Sequence, residues 1–301
     1  SFRKSCSQVY IVTKNPGIDL WLMLKMKNII KKNKIDVVNA HHYMPLFYCF
    51  MGTKIFNRKQ LVFTEHSVPE VEAIANNFHD TIFKFMLPQI DTVVGVSNEI
   101  ANKFQIYYPS YKEKVLRVPN GVDIGRFKNT KTKCKIREQW GLTHNDFVIG
   151  VVANFRKVKN HVCLLRAISR IKNDFSNLRL FFVGAGHSST AENSENEIHE
   201  LISNNDLHQH VIFSGYQDDV PGILPLFDIF CLPSLSEGLP VSILEAMAAE
   251  VPVIGSRARG ISEVIQHRIT GLLFEIDNDE ELAGLLKEVI KDRKLLKNLG
   301  A

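Results

Sequence analysis

Short apolar runs that are continuous rather than alternating recur along this chain with helical segments between them, and this restricts its fold most. The runs lie in IDVVNAHH (35–42), QLVFTEHS (60–67), DTVVGVSN (91–98), KVLRVPNG (114–121) and FVIGVVANF (147–155). They continue in LRLFFVGAG (178–186), HVIFSGY (210–216), DIFCLPS (228–234) and VPVIGS (251–256). Rich in β-branched and aromatic residues, they read as strands buried on both faces. Helical patterns fill 19–33, 160–174, 195–205 and 279–292. The alternation predicts an α/β fold with parallel sheets and helices on both sides. The stretch 124–146 is charged and poor in apolar residues, and it separates four predicted strands from five. Two doubly wound domains follow, 1–125 and 126–301, a division that 301 residues can supply.

Polar or small residues gather just past the predicted strands: His41, His42, Glu65, His66, Ser97, Asn98, Asn120, Arg156, Gly184, Gly186 and Ser234. Open α/β sheets bind ligands outside the carboxyl ends of their strands, so a site is expected in a cleft between the two sheets.

Composition removes other classes. With 45% hydrophobic and 23% charged residues the chain is an ordinary globular one. It contains no run approaching the ~20 apolar residues of a spanning helix. Five scattered cysteines (Cys6, Cys49, Cys134, Cys163, Cys231) include no C-x-x-C pair, and they read as free thiols in a reducing cytoplasm. Residues 1–145 hold 22 Lys and Arg against 11 Asp and Glu, whereas the remainder are net acidic. Such a front half suits an anionic partner, a membrane surface, lipid phosphate or nucleic acid, or serves solubility alone. Lys25, Lys27, Lys31 and Lys32 stand on the predicted helix 19–33, whose apolar residues cover much of its circumference. That pattern suits a buried helix better than an interfacial one, with weak membrane association expected from the charge.

The stretch SEGLPVSILEAMAAE (236–250) places Glu237 on a Gly238–Leu239–Pro240 turn and Glu245 on the helix-forming run beyond it. Pro240 suits a first helical turn and Ser236 its cap. The free N–H groups of such a helix start attract an anion or a sugar oxygen. A carboxylate suits a diol, because two O–H donors meet two acceptor oxygens. Spacing alone leaves both acids open as surface residues.

The order of motifs settles more. VANFRKVKNH (152–161), VGAG (183–186), FSGYQDDV (213–220), LPSLSEGLPVSILEAMA (232–248), PVIGS (252–256) and TGLLFE (270–275) follow one another across the back half. In this order they resemble the donor-binding lobe of retaining glycosyltransferases of family 4, with the GT-B fold. TEHS, VGVSN and PNGVDIGRF (119–127) extend the resemblance into the front half. The family's first strand and glycine-rich turn have no counterpart, and the chain stops before the helix that crosses back, so a fragment is expected.

The resemblance implies two Rossmann-like domains facing a cleft and a metal-independent transfer without other cofactor. Its donor is a nucleotide-sugar, by family frequency a UDP-sugar, and its acceptor a saccharide or lipid-linked saccharide. It implies that Glu237 holds the donor sugar and Glu245 the ribose diol, with Gly238, Leu239 and Pro240 shaping the turn. Arg156 and Lys159 stabilise the charge growing on the leaving diphosphate. His66 stands beside the transferred sugar, and Gly184, Tyr216 and Gln217 lie near the base or phosphate. The expected place of work is the cytoplasm, peripheral on the cytoplasmic face of the membrane. A GT-B epimerase or phosphorylase, or a non-catalytic nucleotide-sugar-binding module, would use the same features. A nucleic-acid binder would explain the basic half but not Glu237 and Glu245, and no nucleic acid is expected. The D-x-D of Asp277 and Asp279 has the form of a metal motif, but Asp277 and Glu280 have capping spacing, so no metal site is expected there.

Overall fold

The structure is a computed structural model that describes residues 7–75, 78–127, 137–186 and 192–300; Cys6 and Cys134 lie outside them. The chain forms two compact units, Ser1–Val118 and Pro119–Ala301. The division falls ahead of the 125/126 expected from composition, and the core explains why. Val122 packs against the cluster that holds Val148, Phe181 and Phe227, and Asn120 bonds the Leu239 carbonyl, so residues 119–125 go with the second unit.

The first unit carries β1 (Val37–His41), β2 (Gln60–Glu65), β3 (Thr92–Gly95) and β4 (Val115–Arg117), parallel and in that order. Phe63, Phe83, Phe104 and Tyr108 pack ring to ring beneath this sheet. Each fully buried ring contributes about 1.5–3 kcal/mol relative to exposure. Helix Leu20–Lys32 leads into β1, and Tyr43–Phe50, Val68–Ala75, Phe78–Met86 and Asn98–Tyr107 connect the strands. Of these only the first shows clearly in the sequence pattern, and its setting differs from expectation. Met23 and Ile30 are its buried residues, whereas Trp21 is 79% exposed.

The second unit contains β5 (Phe147–Val152), β6 (Leu178–Val183), β7 (Val211–Phe213), β8 (Ile229–Leu232), β9 (Val253–Ser256) and β10 (Leu272–Phe274). All pair in parallel, in the order β10-β9-β8-β5-β6-β7. The tenth strand is the LLF of TGLLFE, too short to count as a strand on apolar length alone. One face of the sheet packs against the helices His161–Ile171 and Asp279–Lys291, the other against Val241–Ala248 and the segment 223–227. This is the doubly wound arrangement the alternation predicts. β5 carries a glycine because the Phe227 ring occupies the place of a Cβ at 150, within 2.2 Å of it. Cys49, Cys163 and Cys231 are buried free thiols, and burial pushes the Cys49 thiol up to about 11 and Cys163 up to about 12.

Candidate functional site

The strand order reverses between β5 and β8. From β5 the chain runs outward through β6 to β7, then returns to β8 and runs outward the other way. At such a point the loops leaving two neighbouring strands part, and the crevice between them is where open α/β sheets bind ligands. The loop after β5 carries Arg156 and Lys159; the loop after β8 carries Glu237.

These loops meet. The Lys159 ammonium donates to Glu237 Oε1 at 2.7 Å, and the Ser234 hydroxyl donates to the same oxygen at 2.6 Å. The Glu237 side chain is 10% exposed, which rules out a plain surface acid. Backbone contacts fix the turn behind it. The Leu235 N–H donates to the Val158 carbonyl at 2.8 Å, and the Ser256 hydroxyl to the Ser234 carbonyl at 2.5 Å. From the β9 side, Gly260 presses so closely that a Cβ there would lie 2.4 Å from the carbonyl oxygens of Glu237 and Gly238. The Asn120 amide donates to the Leu239 carbonyl at 2.9 Å.

Gly238, Leu239 and Pro240 are buried and lead into the helix Val241–Ala248. Pro240 occupies the N-cap with φ −74° and ψ 112°, one position earlier than the first-turn placement expected of it. Among the described residues this helix start has no side-chain cap, and Ser236 does not stand at the cap position. The cause is the proline, which presents no side-chain oxygen at the cap and is followed at once by helical backbone. The first-turn N–H groups therefore point out of the helix start without a side-chain acceptor. Glu245 lies on this helix, half-buried. Burial pushes its carboxyl up from the usual carboxylate range, and the Arg126 charge opposes that.

Arg156 pairs with Glu192 at 2.6 Å rather than with the acids of the turn. Asn160, at φ 49°, caps the helix His161–Ile171 and ends the loop. Gly184 follows β6 with φ 153°; a Cβ there would lie 2.0 Å from the Ala153 carbonyl oxygen. Close approach of β5 and β6 thus accounts for glycine at 184. Its N–H donates to the Gly215 carbonyl at 3.0 Å, next to Tyr216 and Gln217. The Tyr216 ring is 74% exposed, with its hydroxyl donating to Asp218, and the Gln217 amide donates to the Ser214 carbonyl at 2.8 Å.

The D-x-D stretch is helix chemistry, shifted by one residue from the expected cap. Asn278 accepts from the Glu281 N–H at 3.1 Å, Asp277 accepts from the Asn160 amide at 3.0 Å, and Asp279 pairs with Arg170.

In the first unit, His66 follows β2 and lies beside His41 from the neighbouring strand. His41 Nδ1 and His66 Nε2 are 2.7 Å apart, and the rings stack with centroids at 5.0 Å. Burial, and then the neighbouring His42, push the His41 imidazole below its ordinary value.

The sequence offers Glu237 and Lys159 as separate candidates for a cleft between the two sheets; their pairing across the β5 and β8 loops comes from the fold. Ser256, Gly260 and Arg126 are not among its candidates. Ser256 and Gly260 act on backbone atoms of a loop distant in sequence, for which no spacing gives a signal. Arg126 approaches Glu245 only through the fold.

Residues 132–301 match the family Glycosyl transferases group 1, and residues 2–126 match Glycosyltransferase Family 4. The N-acetyl-alpha-D-glucosaminyl L-malate synthase of Bacillus anthracis is 29% identical over 97% of this chain and 74% of its own length. The UDP-Gal:alpha-D-GlcNAc-diphosphoundecaprenol alpha-1,3-galactosyltransferase of Escherichia coli is 24% identical over 92% of this chain and 72% of its own. In fold, the chain is similar to Anabaena HepE solved with UDP-glucose, with a TM-score of 0.81 at 21% identity. That likeness covers 92% of this chain and 74% of the other. With two parallel α/β units of GT-B type and a family match over more than half its length, the chain belongs to the group 1 glycosyl transferases.

Proposed function

We propose that this glycosyltransferase moves a sugar from a UDP-sugar to a saccharide or lipid-linked acceptor, with retention of anomeric configuration and without a metal. The observation that carries the reading is the Lys159–Glu237 pair at the strand-order reversal, directly ahead of a helix start that no side chain caps. A nucleoside diphosphate has the chemistry for this arrangement. Its phosphates take the helix N–H groups and the Lys159 charge, with Arg156 as the second cation of the loop. Glu237 accepts from hydroxyls of the donor sugar. Glu245, four residues past the first helical residue, accepts from the two ribose hydroxyls. Tyr216 and Gln217, on the turn that Gly184 anchors, serve the base, and His66 serves the transferred sugar.

In the reaction, the bond between the anomeric carbon and the diphosphate oxygen breaks, and its electron pair stays on that oxygen. Lys159 and Arg156 are worth most there, because the charge they face grows toward the transition state. The acceptor hydroxyl attacks the anomeric carbon from the same face. Its proton passes to the departing phosphate oxygen, so no protein base is required. The products are a glycoside and UDP.

The choice of UDP rests on the relatives. The E. coli enzyme uses UDP-Gal by name, and HepE holds UDP and UDP-glucose. A lipid-linked acceptor rests on the same E. coli relative and on a Campylobacter jejuni diphospho-undecaprenol N-acetylgalactosaminyltransferase, 26% identical over 92% of this chain.

Calorimetric titration of UDP, GDP and ADP without metal tests the donor assignment on wild type and Glu245→Ala. UDP alone should bind, and the variant should lose about 10- to 100-fold in affinity, the worth of hydrogen bonds to a charged group. Preference for GDP or ADP would overturn the UDP assignment. Equal UDP binding by both proteins would overturn the ribose role of Glu245. Anomeric NMR of the transfer product decides retention against inversion.

A further inference from the structure

The two cations of the loop after β5 are held in different ways, and the difference decides how each can meet a diphosphate. Lys159 belongs to Glu237, whose side chain is 10% exposed and is bonded a second time by the Ser234 hydroxyl. Arg156 belongs to Glu192, with Nη2 2.6 Å from Oε2 and the two side chains 38% and 49% exposed. The first pair is locked into the turn, whereas the second stands at the surface.

Backbone bonds bring Glu192 to the loop. The Lys157 N–H donates to the Glu192 carbonyl at 2.8 Å, and the Ser194 N–H donates to the Phe155 carbonyl at 2.8 Å. The segment 192–194 thus runs antiparallel against 155–157, with Arg156 bridged to Asn193. The Asn193 side chain accepts from the Glu195 N–H at 3.0 Å. Gly186 leaves room for both, since a Cβ there would lie 2.1 Å from a Glu195 carboxylate oxygen and 3.2 Å from the Asn193 amide nitrogen. The backbone that carries the carboxylate is therefore tied to the backbone that carries the guanidinium.

The pair itself is weak. The Arg156 Nε–H is buried and has no acceptor among the described residues. The side-on geometry, in which Nε and Nη2 donate together to one carboxylate, is therefore not formed. A half-exposed ion pair biases an equilibrium only about two- to fivefold, and a buried donor left without a partner carries a larger cost. A diphosphate presents several oxygens to the same planar fork and can take Nε and Nη2 at once.

We propose that Glu192 is a positioning residue that competes with the donor diphosphate for Arg156 and so loosens the hold on UDP. The inference rests on the UDP reading above and adds a residue that has no place in it. Lys159 stays with Glu237, and Arg156 is shared between two anions. A carboxylate that returns to the guanidinium as the nucleotide leaves keeps the product from being held as tightly as the cations alone would hold it.

The test is calorimetric titration of UDP, without metal, into the whole chain as wild type, Glu192→Gln, Arg156→Met and the double variant, each checked for folding by circular dichroism. Glu192→Gln should bind UDP about two- to fivefold tighter than wild type, and UDP should inhibit its transfer reaction at a concentration lower by the same factor. Arg156→Met should bind UDP more weakly. In the Arg156→Met background the change at 192 should have no effect, because there is nothing left to compete for. An equal gain in that background would overturn the inference, since it would show only the field of a nearby acid. An Arg156→Met protein with wild-type UDP affinity would overturn it together with the role of Arg156 in the reading. If wild type binds no UDP, the donor reading fails and takes the inference with it. A wild type that binds UDP, with a Glu192→Gln variant that binds it no tighter, sinks the inference alone.

Discussion

His161 offers a stability prediction that does not depend on any ligand. It opens the helix after the Lys159 loop, is fully buried, and meets Phe155 and Phe182 edge-on with centroids 5.2 Å away. Among the described residues neither ring nitrogen has a hydrogen-bond partner, and the Ser194 hydroxyl has none either. Both line a cavity of about 210 Å3 that also touches Asn160 and Asp277. Burial, and then the Lys159 charge, push the His161 imidazole down from 6.5 to about 3. The unfolded chain binds a proton at this residue near pH 6.5, and the folded chain refuses it until about pH 3. Stability from this group is therefore complete above pH 6.5 and is lost as pH falls toward 3. The difference of about 3.5 pKa units is worth about 5 kcal/mol in all, of which about 3 kcal/mol is gone by pH 4.5. His161→Phe keeps the edge-on ring packing and has nothing to protonate. At pH 7.5 it should match or exceed wild type, because burying a polar group without a partner costs about 1–3 kcal/mol. Thermal unfolding at pH 7.5 and 4.5, at fixed ionic strength, reads the effect. The acid-induced fall in Tm should be smaller in the variant by roughly 6–12 °C, at about 2–4 °C per kcal/mol for a unit of this size. Equal falls in the two proteins would refute the reasoning. They would mean that the folded ring takes up its proton as readily as the unfolded one.

Glu237→Gln keeps the shape of the turn but removes the charge that meets Lys159, and steady-state transfer should fall at least about 100-fold while the protein stays folded by circular dichroism. Gly260→Ala drives a methyl group into the Glu237 and Gly238 carbonyls, so calorimetry should show UDP affinity reduced about tenfold or more although residue 260 presents no side chain to the ligand. Arg137 is 5% exposed, pairs with Asp228 at 2.6 Å and donates to the carbonyls of Leu226, Thr143 and Asp146; Arg137→Met should cost about 3–5 kcal/mol in urea unfolding, because Asp228 keeps its buried charge.

The strands were the legible part of the sequence, for a physical reason. A strand covered on both faces must be apolar throughout, and β5, β8 and β9 are buried along almost their whole lengths. Where coverage is incomplete the signal misleads. β1 reads as a core strand, yet Val37 is 51% exposed. The helix Tyr43–Phe50 gives no helical signal because it is short and crowded with aromatic residues, which removes the polar stripe that marks a surface helix; Phe78–Met86 keeps such a stripe, with Asp80 paired to Lys84, but is only nine residues long. Leu20–Lys32 was visible as a helix but not as an exposed one, since Trp21 and Met23 look alike to a periodicity argument and only the neighbours separate them. At the site, the sequence offers as candidates residues whose chemistry sits in a side chain, Glu237, Glu245 and Lys159 among them. It offers neither the Lys159–Glu237 pairing nor Gly260 and Ser256, which act on the carbonyls of another loop. The φ of His42 was equally hidden; nothing in the letters NAHHYM announces a glycine-like backbone.

The acidic turn after β8 is held from two directions, by Val158 on the β5 side and by Ser256 and Gly260 on the β9 side. Three loops are thus geared to one another, and none can be remodelled without moving Glu237. The turn 214–218 is built differently. A Cβ at Gly215 would meet nothing within 4 Å, and Tyr216 stands in solvent. If Tyr216 and Gln217 serve the base as proposed, a designer who wishes to change the nucleotide should work on that turn, avoiding β-branched residues at the left-handed Gly215, and leave the geared loops alone. On the proposed function, the same scaffold has a replaceable reader and a fixed reaction centre, separated along the carboxyl edge of a single sheet.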